Sequence, residues 1–152
     1  MIAENNLSRI VEAESFERGV IVRVKGGTLF KAGSDSLLPI SFVFLDEVIR
    51  IAVEFPYALS IEGHTDDGPI NTPRFPTNWH LSAARSIAVL QYMIDAGDVD
   101  PSRISAGGYG STRLLVPNDA PESRAVNRRV EFVYKRDPIA DRATKARHQA
   151  RK

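Results

Sequence analysis

Three short segments bring together residue types that could serve one cleft: Gly63-His64-Thr65-Asp66-Asp67, Asn78-Trp79-His80-Leu81-Ser82-Ala83-Ala84-Arg85 and Asn127-Arg128-Arg129-Val130-Glu131. Asp66 follows a stretch that reads as a strand, and ligand crevices commonly open at the carboxyl ends of strands. Asn78, Ser82 and Arg85 are spaced to share one helix face. An arginine can give a carboxylate two parallel hydrogen bonds. Asp66 can accept from an ammonium, and Thr65 and Asn78 can add neutral hydrogen bonds. Such a cleft would hold a group that bears both an ammonium and a carboxylate, with no need of a nucleophile. Arg128 and Arg129 are adjacent on a predicted strand and point to opposite sides, so at most one should enter the cleft. Spacing alone leaves other uses open. Asp66-Asp67-Gly68 is also turn sequence, with Asp66 as the cap. Arg85 lies two positions past Ala83, a predicted core residue, so it is expected to point away from the centre of the buried stripe, as a solvated residue or an ion-pair partner.

Other chemistries find less support. His64 near Asp66 and Asp67 invites a metal site or a hydrolase. No second histidine lies at helical spacing, His80 belongs to another element, and zinc needs more ligands. Ser82 and Ser105 lack a Gly-x-Ser-x-Gly elbow. Gly107-Gly108-Tyr109-Gly110 lacks the Lys-Ser/Thr ending of a phosphate loop. No catalytic residue, metal or cofactor is therefore expected. The absence of cysteine removes disulfides and thiolate chemistry. The net charge of +1 gives no basic field for nucleic acid. With 152 residues, 43% of them hydrophobic, the chain is sized for one globular domain with a real core.

The elements that must position these residues follow from periodicity. Residues 4–17 are polar and acidic and suggest a short helix or loose lead-in. Residues 20–25 are β-branched and alternate, a strand closed by Gly26-Gly27. Leu38, Phe42, Leu45, Ile49 and Ala52 recur at helical steps, with Pro39 suited to the first turn. Residues 58–64 form a second strand. A helix over residues 78–96 is predicted, with Asn78 as N-cap, Gly97 as stop, and Ala83, Ile87, Leu90 and Ile94 as its core stripe. A third strand over 104–109, a helical turn around 122–126 and a fourth strand over 129–134 complete the order β-α-β-α-β-(short α)-β. This is an α+β arrangement, with two main helices on one face of a small mixed sheet. Residues 1–18 read as a linker remnant or short helix, 19–136 as the domain, and 137–152 as a basic tail expected to be disordered.

The same residues resemble the OmpA-like peptidoglycan-binding domains over about Gly19 to Tyr134. Four motifs occur in order: Gly63-His64-Thr65-Asp66, Asn78-x-x-Leu81-Ser82-x-x-Arg85, Arg103-Ile104-x-x-x-Gly108-x-Gly110 and Asn127-Arg128-Arg129-Val130-Glu131. Within that family, Leu29-Phe30-Lys31-Ala32-Gly33-Ser34 and the loop Gly68-Pro69-Ile70 through Arg74-Phe75-Pro76-Thr77-Asn78-Trp79 are similar to the flagellar stator proteins of the MotB type. Thr77 stands where that pattern has Ser, and His80 where it has Glu.

The resemblance implies non-catalytic binding of peptidoglycan through the diaminopimelate of its stem peptide. Asp66 would take the ammonium and Arg85 the carboxylate, with Thr65, Asn78, Leu81 and one of Arg128 or Arg129 completing the site. It further implies a homodimer, a MotA-type channel subunit as partner through a transmembrane helix outside this chain, and a periplasmic position. An OmpA- or Pal-type outer-membrane anchor is the alternative within the family, and a metal-dependent wall hydrolase the alternative outside it.

Overall fold

The computed structural model describes residues 11–55 and 57–135. The expectations for residues 4–10 and for the tail 137–152 fall outside them. The elements run β1 (Val11–Phe16), β2 (Gly19–Lys25), a single turn α1 (Gly26–Leu29), α2 (Ser41–Glu54), β3 (Ala58–His64), α3 (Asn78–Gly97), a 3-10 turn (Pro101–Arg103), β4 (Ile104–Gly108), α4 (Pro121–Asn127) and β5 (Arg129–Lys135). The sheet order is β1-β2-β5-β3-β4. Only β3 and β4 are parallel; β1–β2, β2–β5 and β5–β3 are antiparallel. The α+β reading holds, with one strand more than the sequence suggested.

That extra strand is a correction. Residues 11–16 form an edge strand, not a helix or loose lead-in. Its residues are almost all exposed, so no buried face imposes a visible two-residue period. It is held instead by the hairpin with β2 and by Arg23, which meets Glu14 at 2.7 Å.

One face of the sheet carries the core. Val24, Leu59, Ile61, Val130 and Phe132 meet Leu45, Ile49 and Ala52 of α2 and Val89 and Met93 of α3. Both main helices start or rotate differently from expectation. Leu37 and Leu38 are tied to the Leu29-Phe30 segment, so α2 begins only at Ser41, past Leu38 and Pro39. In α3 the buried face is Leu81, Ser82, Arg85, Ser86, Val89 and Met93. Ile87, expected in the core, is 54% exposed. Thr77, not Asn78, caps the helix, and Asp98, not Gly97, takes the left-handed position at its end.

The rotation of α3 has a steric cause. A Cβ on Gly63 would lie 2.2 Å from the Ser82 carbonyl oxygen, and one on Gly108 would lie 2.3 Å from the Ala83 nitrogen. The glycines let the helix backbone rest directly on β3 and β4. Small residues must then face the sheet, and Ser82 and Ser86 return their hydroxyls to Trp79 and Ala83 carbonyls of their own helix. Apolar periodicity cannot see a contact made of serines and glycines.

Candidate functional site

The close approach of α3 fixes the first turns of that helix against the end of β3. The Gly110 N–H donates to Ser82 Oγ at 3.0 Å, and the Thr65 N–H donates to the Gly110 carbonyl at 2.9 Å. Asp66 therefore leaves the sheet at a defined place beside α3. Its carboxylate is divided. One oxygen accepts from the Gly68 N–H at 2.8 Å, the turn cap foreseen from Asp66-Asp67-Gly68. The other meets Arg128 Nη1 at 2.5 Å. The Asp66 side chain is 15% exposed and that of Arg128 is 43% exposed.

Arg85 corrects the expectation that it points away from the buried stripe. It is only 6% exposed and lies on the sheet-facing side of α3. Its Nε donates to the Ser34 carbonyl at 2.8 Å and its Nη2 to the Lys31 carbonyl at 3.3 Å. Its guanidinium stacks over the Phe30 ring, 4.9 Å from the centroid. Among the described residues no carboxylate pairs with it, and its Nη1 makes no hydrogen bond. A Cβ on Gly26 would come within 3.4 Å of that Nη1, so the glycine keeps this donor uncrowded. Burial, and then the nearby positive charge of Arg128, lower the Arg85 pKa to about 10, with Asp35 acting in the opposite sense. Asp66, Arg128 and Arg85 thus form one polar row. It holds an ion pair at one end and, at the other, a buried cation without an anion.

The remaining candidates are placed as follows. Asn78 Nδ2 donates to the Gly68 carbonyl at 3.0 Å and the Asp66 carbonyl at 3.4 Å, which ties the loop after β3 to α3. Thr65 is buried, its hydroxyl donating to the Asp66 carbonyl at 2.8 Å. Leu81 is buried in the first turn of α3. These three hold the shape of the row more than they line it. Arg129 faces the other side of the sheet, where Nε meets Glu131 at 2.6 Å and the other nitrogens donate to the Asn127 and Arg113 carbonyls. Of the arginine pair, only Arg128 joins the row.

Sequence reasoning missed Arg124 and Asp67. They meet at 2.6 Å beside the Asp66–Arg128 pair. Consecutive aspartates thereby face Arg124 on α4 and Arg128 at its C-cap, four residues apart. That i, i+4 spacing is readable in the sequence once residues 121–127 are accepted as a helix.

The opposite sheet face holds a second polar cluster. Glu62, His64 and Glu131 present ligand atoms within 4.8 Å of one another. His64 is 3% exposed, stacked on Tyr109, and neither ring nitrogen has a hydrogen-bond partner. Burial, with Arg129 next, lowers its pKa to about 4. A neutral imidazole suits a metal, but the surroundings do not. Arg129 and Arg23 both sit on Glu131 Oε2, at 2.6 and 3.2 Å. Arg113 also opposes positive charge at His64. Three guanidiniums against two carboxylates repel a cation.

A family model described as the OmpA family matches residues 29–128. Among curated relatives, the uncharacterized protein YtxE of Bacillus subtilis is 35% identical over 135 residues, 89% of this chain and 56% of that protein. Motility protein B of Helicobacter pylori is 32% identical over 127 residues, 82% of this chain and 49% of that protein. The peptidoglycan-binding protein ArfA of Mycobacterium tuberculosis is 36% identical over 118 residues, 76% and 35% of the two chains. The chain spans about half the length of the first two. Among solved structures, a MotB-like protein from Desulfovibrio vulgaris superposes with TM-score 0.81 at 34% identity, covering 88% and 85% of the two chains. The periplasmic domain of Helicobacter pylori MotB gives 0.77 at 27%, covering 91% of each. The cell wall anchor of the T6SS from Pseudomonas aeruginosa gives 0.82 at 29%, covering 90% and 94%. Neither the family nor these relatives carry an enzyme's name. No helix among the described residues is long and apolar enough to cross a membrane.

Proposed function

Since this chain belongs to the OmpA family, we propose that it is a non-catalytic anchor to cell-wall peptidoglycan, of the MotB type, and that its site is the row Asp66, Arg128 and Arg85. The ligand is the side-chain end of diaminopimelate, which carries an ammonium and a carboxylate on one carbon. The ammonium goes to Asp66, where it competes with Arg128 for the carboxylate oxygen. The ligand carboxylate goes to Arg85 Nη1 and to the guanidinium that Arg128 withdraws from Asp66. The observation that carries this reading is the buried Arg85 cation with no anionic partner among the described residues. A protein rarely buries a charge unpaired, and a ligand carboxylate would complete the pair. The neighbouring Asp66–Arg128 pair supplies the opposite charge that a zwitterion needs.

On this reading the chain is the periplasmic part of an inner-membrane protein. It works as a homodimer beside a MotA-type channel subunit, and the membrane helix lies on sequence outside this chain. Support comes from the MotB relatives and from the wall-binding names of ArfA and the T6SS anchor. An outer-membrane anchor of the OmpA or Pal type would use the same cleft. The test is co-sedimentation with purified sacculi. Wild type is expected in the pellet, and Asp66→Ala and Arg85→Ala in the supernatant. Equal sedimentation of all three removes the proposed cleft.

A further inference from the structure

Beside the Asp66–Arg128 pair lies a groove of about 310 Å³ that the diaminopimelate side-chain end does not need. Its lining includes Asn118, Asp119, Arg124 and Arg128. Arg124 lies on α4 and Arg128 caps its end four residues on, its N–H bonding the Arg124 carbonyl at 3.1 Å, so the two side chains start from neighbouring turns, roughly 6 Å apart at the Cβ atoms. The Arg124 side chain is 37% exposed and, among the described residues, paired only to Asp67, itself 55% exposed. Such a solvated pair holds its partner weakly. Asn118 Oδ1 is used by Asn127 Nδ2 at 2.7 Å, but Asn118 Nδ2 is enclosed and has no hydrogen-bond partner. Asp119 is the one carboxylate among the lining residues, and one of its oxygens accepts from the Ser123 hydroxyl at 2.9 Å. The groove thus presents two guanidiniums against one carboxylate, a set of groups that suits an anion.

We infer that this groove is a second subsite, which takes the main-chain carboxylate of the stem peptide while the diaminopimelate side-chain end occupies the Asp66–Arg85 row. The inference rests on the reading proposed above and adds a specificity element to it. Arg124 is the residue that grips the second carboxylate. Arg128 borders both subsites, so one ligand bridging them draws Arg128 away from Asp66 and supplies it with two carboxylates. The site would then read the wall peptide by its two separated carboxylates, and a simple free amino acid would fill only half of it.

The experiment uses a synthetic stem peptide ending in diaminopimelate, prepared with a free main-chain carboxylate and as the corresponding amide. Affinities are measured by calorimetry on the full chain. Wild type should prefer the acid by about fivefold, the scale of a partly exposed ion pair. Arg124→Gln should bring that ratio close to one. Asp67→Asn, which frees Arg124 from its internal partner, should raise it. Asp66→Asn should weaken both peptides through the first subsite, and because it also frees Arg128 it should not lower the ratio. A wild-type ratio near one, or a ratio that survives Arg124→Gln, overturns the second subsite while leaving the first intact. Failure of wild type to bind either peptide overturns the parent reading instead. Thermal midpoints of each variant verify that it is folded.

Discussion

Replacing Arg85 by methionine separates a residue kept for a ligand from one kept for the fold. The lowering of its pKa to about 10 corresponds to about 3 kcal/mol against the charged form in the folded protein. Opposing this are the two hydrogen bonds to the Ser34 and Lys31 carbonyls, about 1.5 kcal/mol each for a charged donor. The stacking over Phe30 adds about 1 kcal/mol. The sum is close to balance, about 1 kcal/mol in favour of the arginine. Methionine retains the apolar stem. Lys31 is exposed and Ser34 half-buried, so water can reach the carbonyls the guanidinium leaves. Arg85→Met should therefore cost about 1 kcal/mol or less in urea unfolding. Breaking a buried ion pair usually costs about 3–5 kcal/mol. Binding should behave oppositely. Loss of a buried charge partner for a carboxylate costs about 2 kcal/mol or more, a factor of about 30 in affinity. Diaminopimelate should raise the unfolding midpoint of wild type and leave that of Arg85→Met unmoved. A variant destabilised by more than about 3 kcal/mol, or one still shifted by the ligand, would refute the argument.

Three further outcomes are expected. The folded protein protonates His64 only near pH 4, and the unfolded chain near 6.5, so the unfolded state binds more protons between them. Its contribution is intact above pH 6.5 and falls by up to about 3 kcal/mol toward pH 4. His64→Phe, which preserves the stack on Tyr109, should flatten that slope in urea titrations across the window. The raised pKa of Glu62 acts in the opposite sense and should remain. Asn127 is fully buried and bonds the Leu115 and Val116 N–H groups, the Val116 carbonyl and Asn118. Asn127→Ala should cost about 3 kcal/mol and speed hydrogen exchange at Leu115 and Val116. Gly108→Ala should cost about 3 kcal/mol or more, since the new methyl meets helix backbone at 2.3 Å, which cannot swing aside; a cost under about 1 kcal/mol would mean that α3 rides higher on the sheet than described.

Much was legible along the chain because it depends on local rules. The alternation of Val20 to Lys25, the strand ending at His64 and the period of Leu45, Ile49 and Ala52 follow from which side of an element must be dry. The turn role of Asp66 was readable because an aspartate two residues before a glycine bonds its own backbone. That Arg128 and Arg129 part company was also readable, since successive side chains of a strand leave opposite faces. What failed was equally local in cause. The edge strand at residues 11–16 shows no dry face, so its sequence carries no alternation to detect. The buried side of α3 is small and polar, so hydropathy placed Ile87 inside and Arg85 outside, the reverse of their positions.

By itself the sequence determined the order of elements, the residue types available for a zwitterion, and membership of the OmpA family. Tertiary structure alone decided which charges meet. Arg85 is buried because Gly63 and Gly108 let α3 descend onto the sheet, and Arg128 reaches Asp66 because β5 lies next to β3 in an order the chain does not follow. Charge pairing falls off with distance through space, and residues 62 positions apart in sequence acquire that distance only when the sheet has formed.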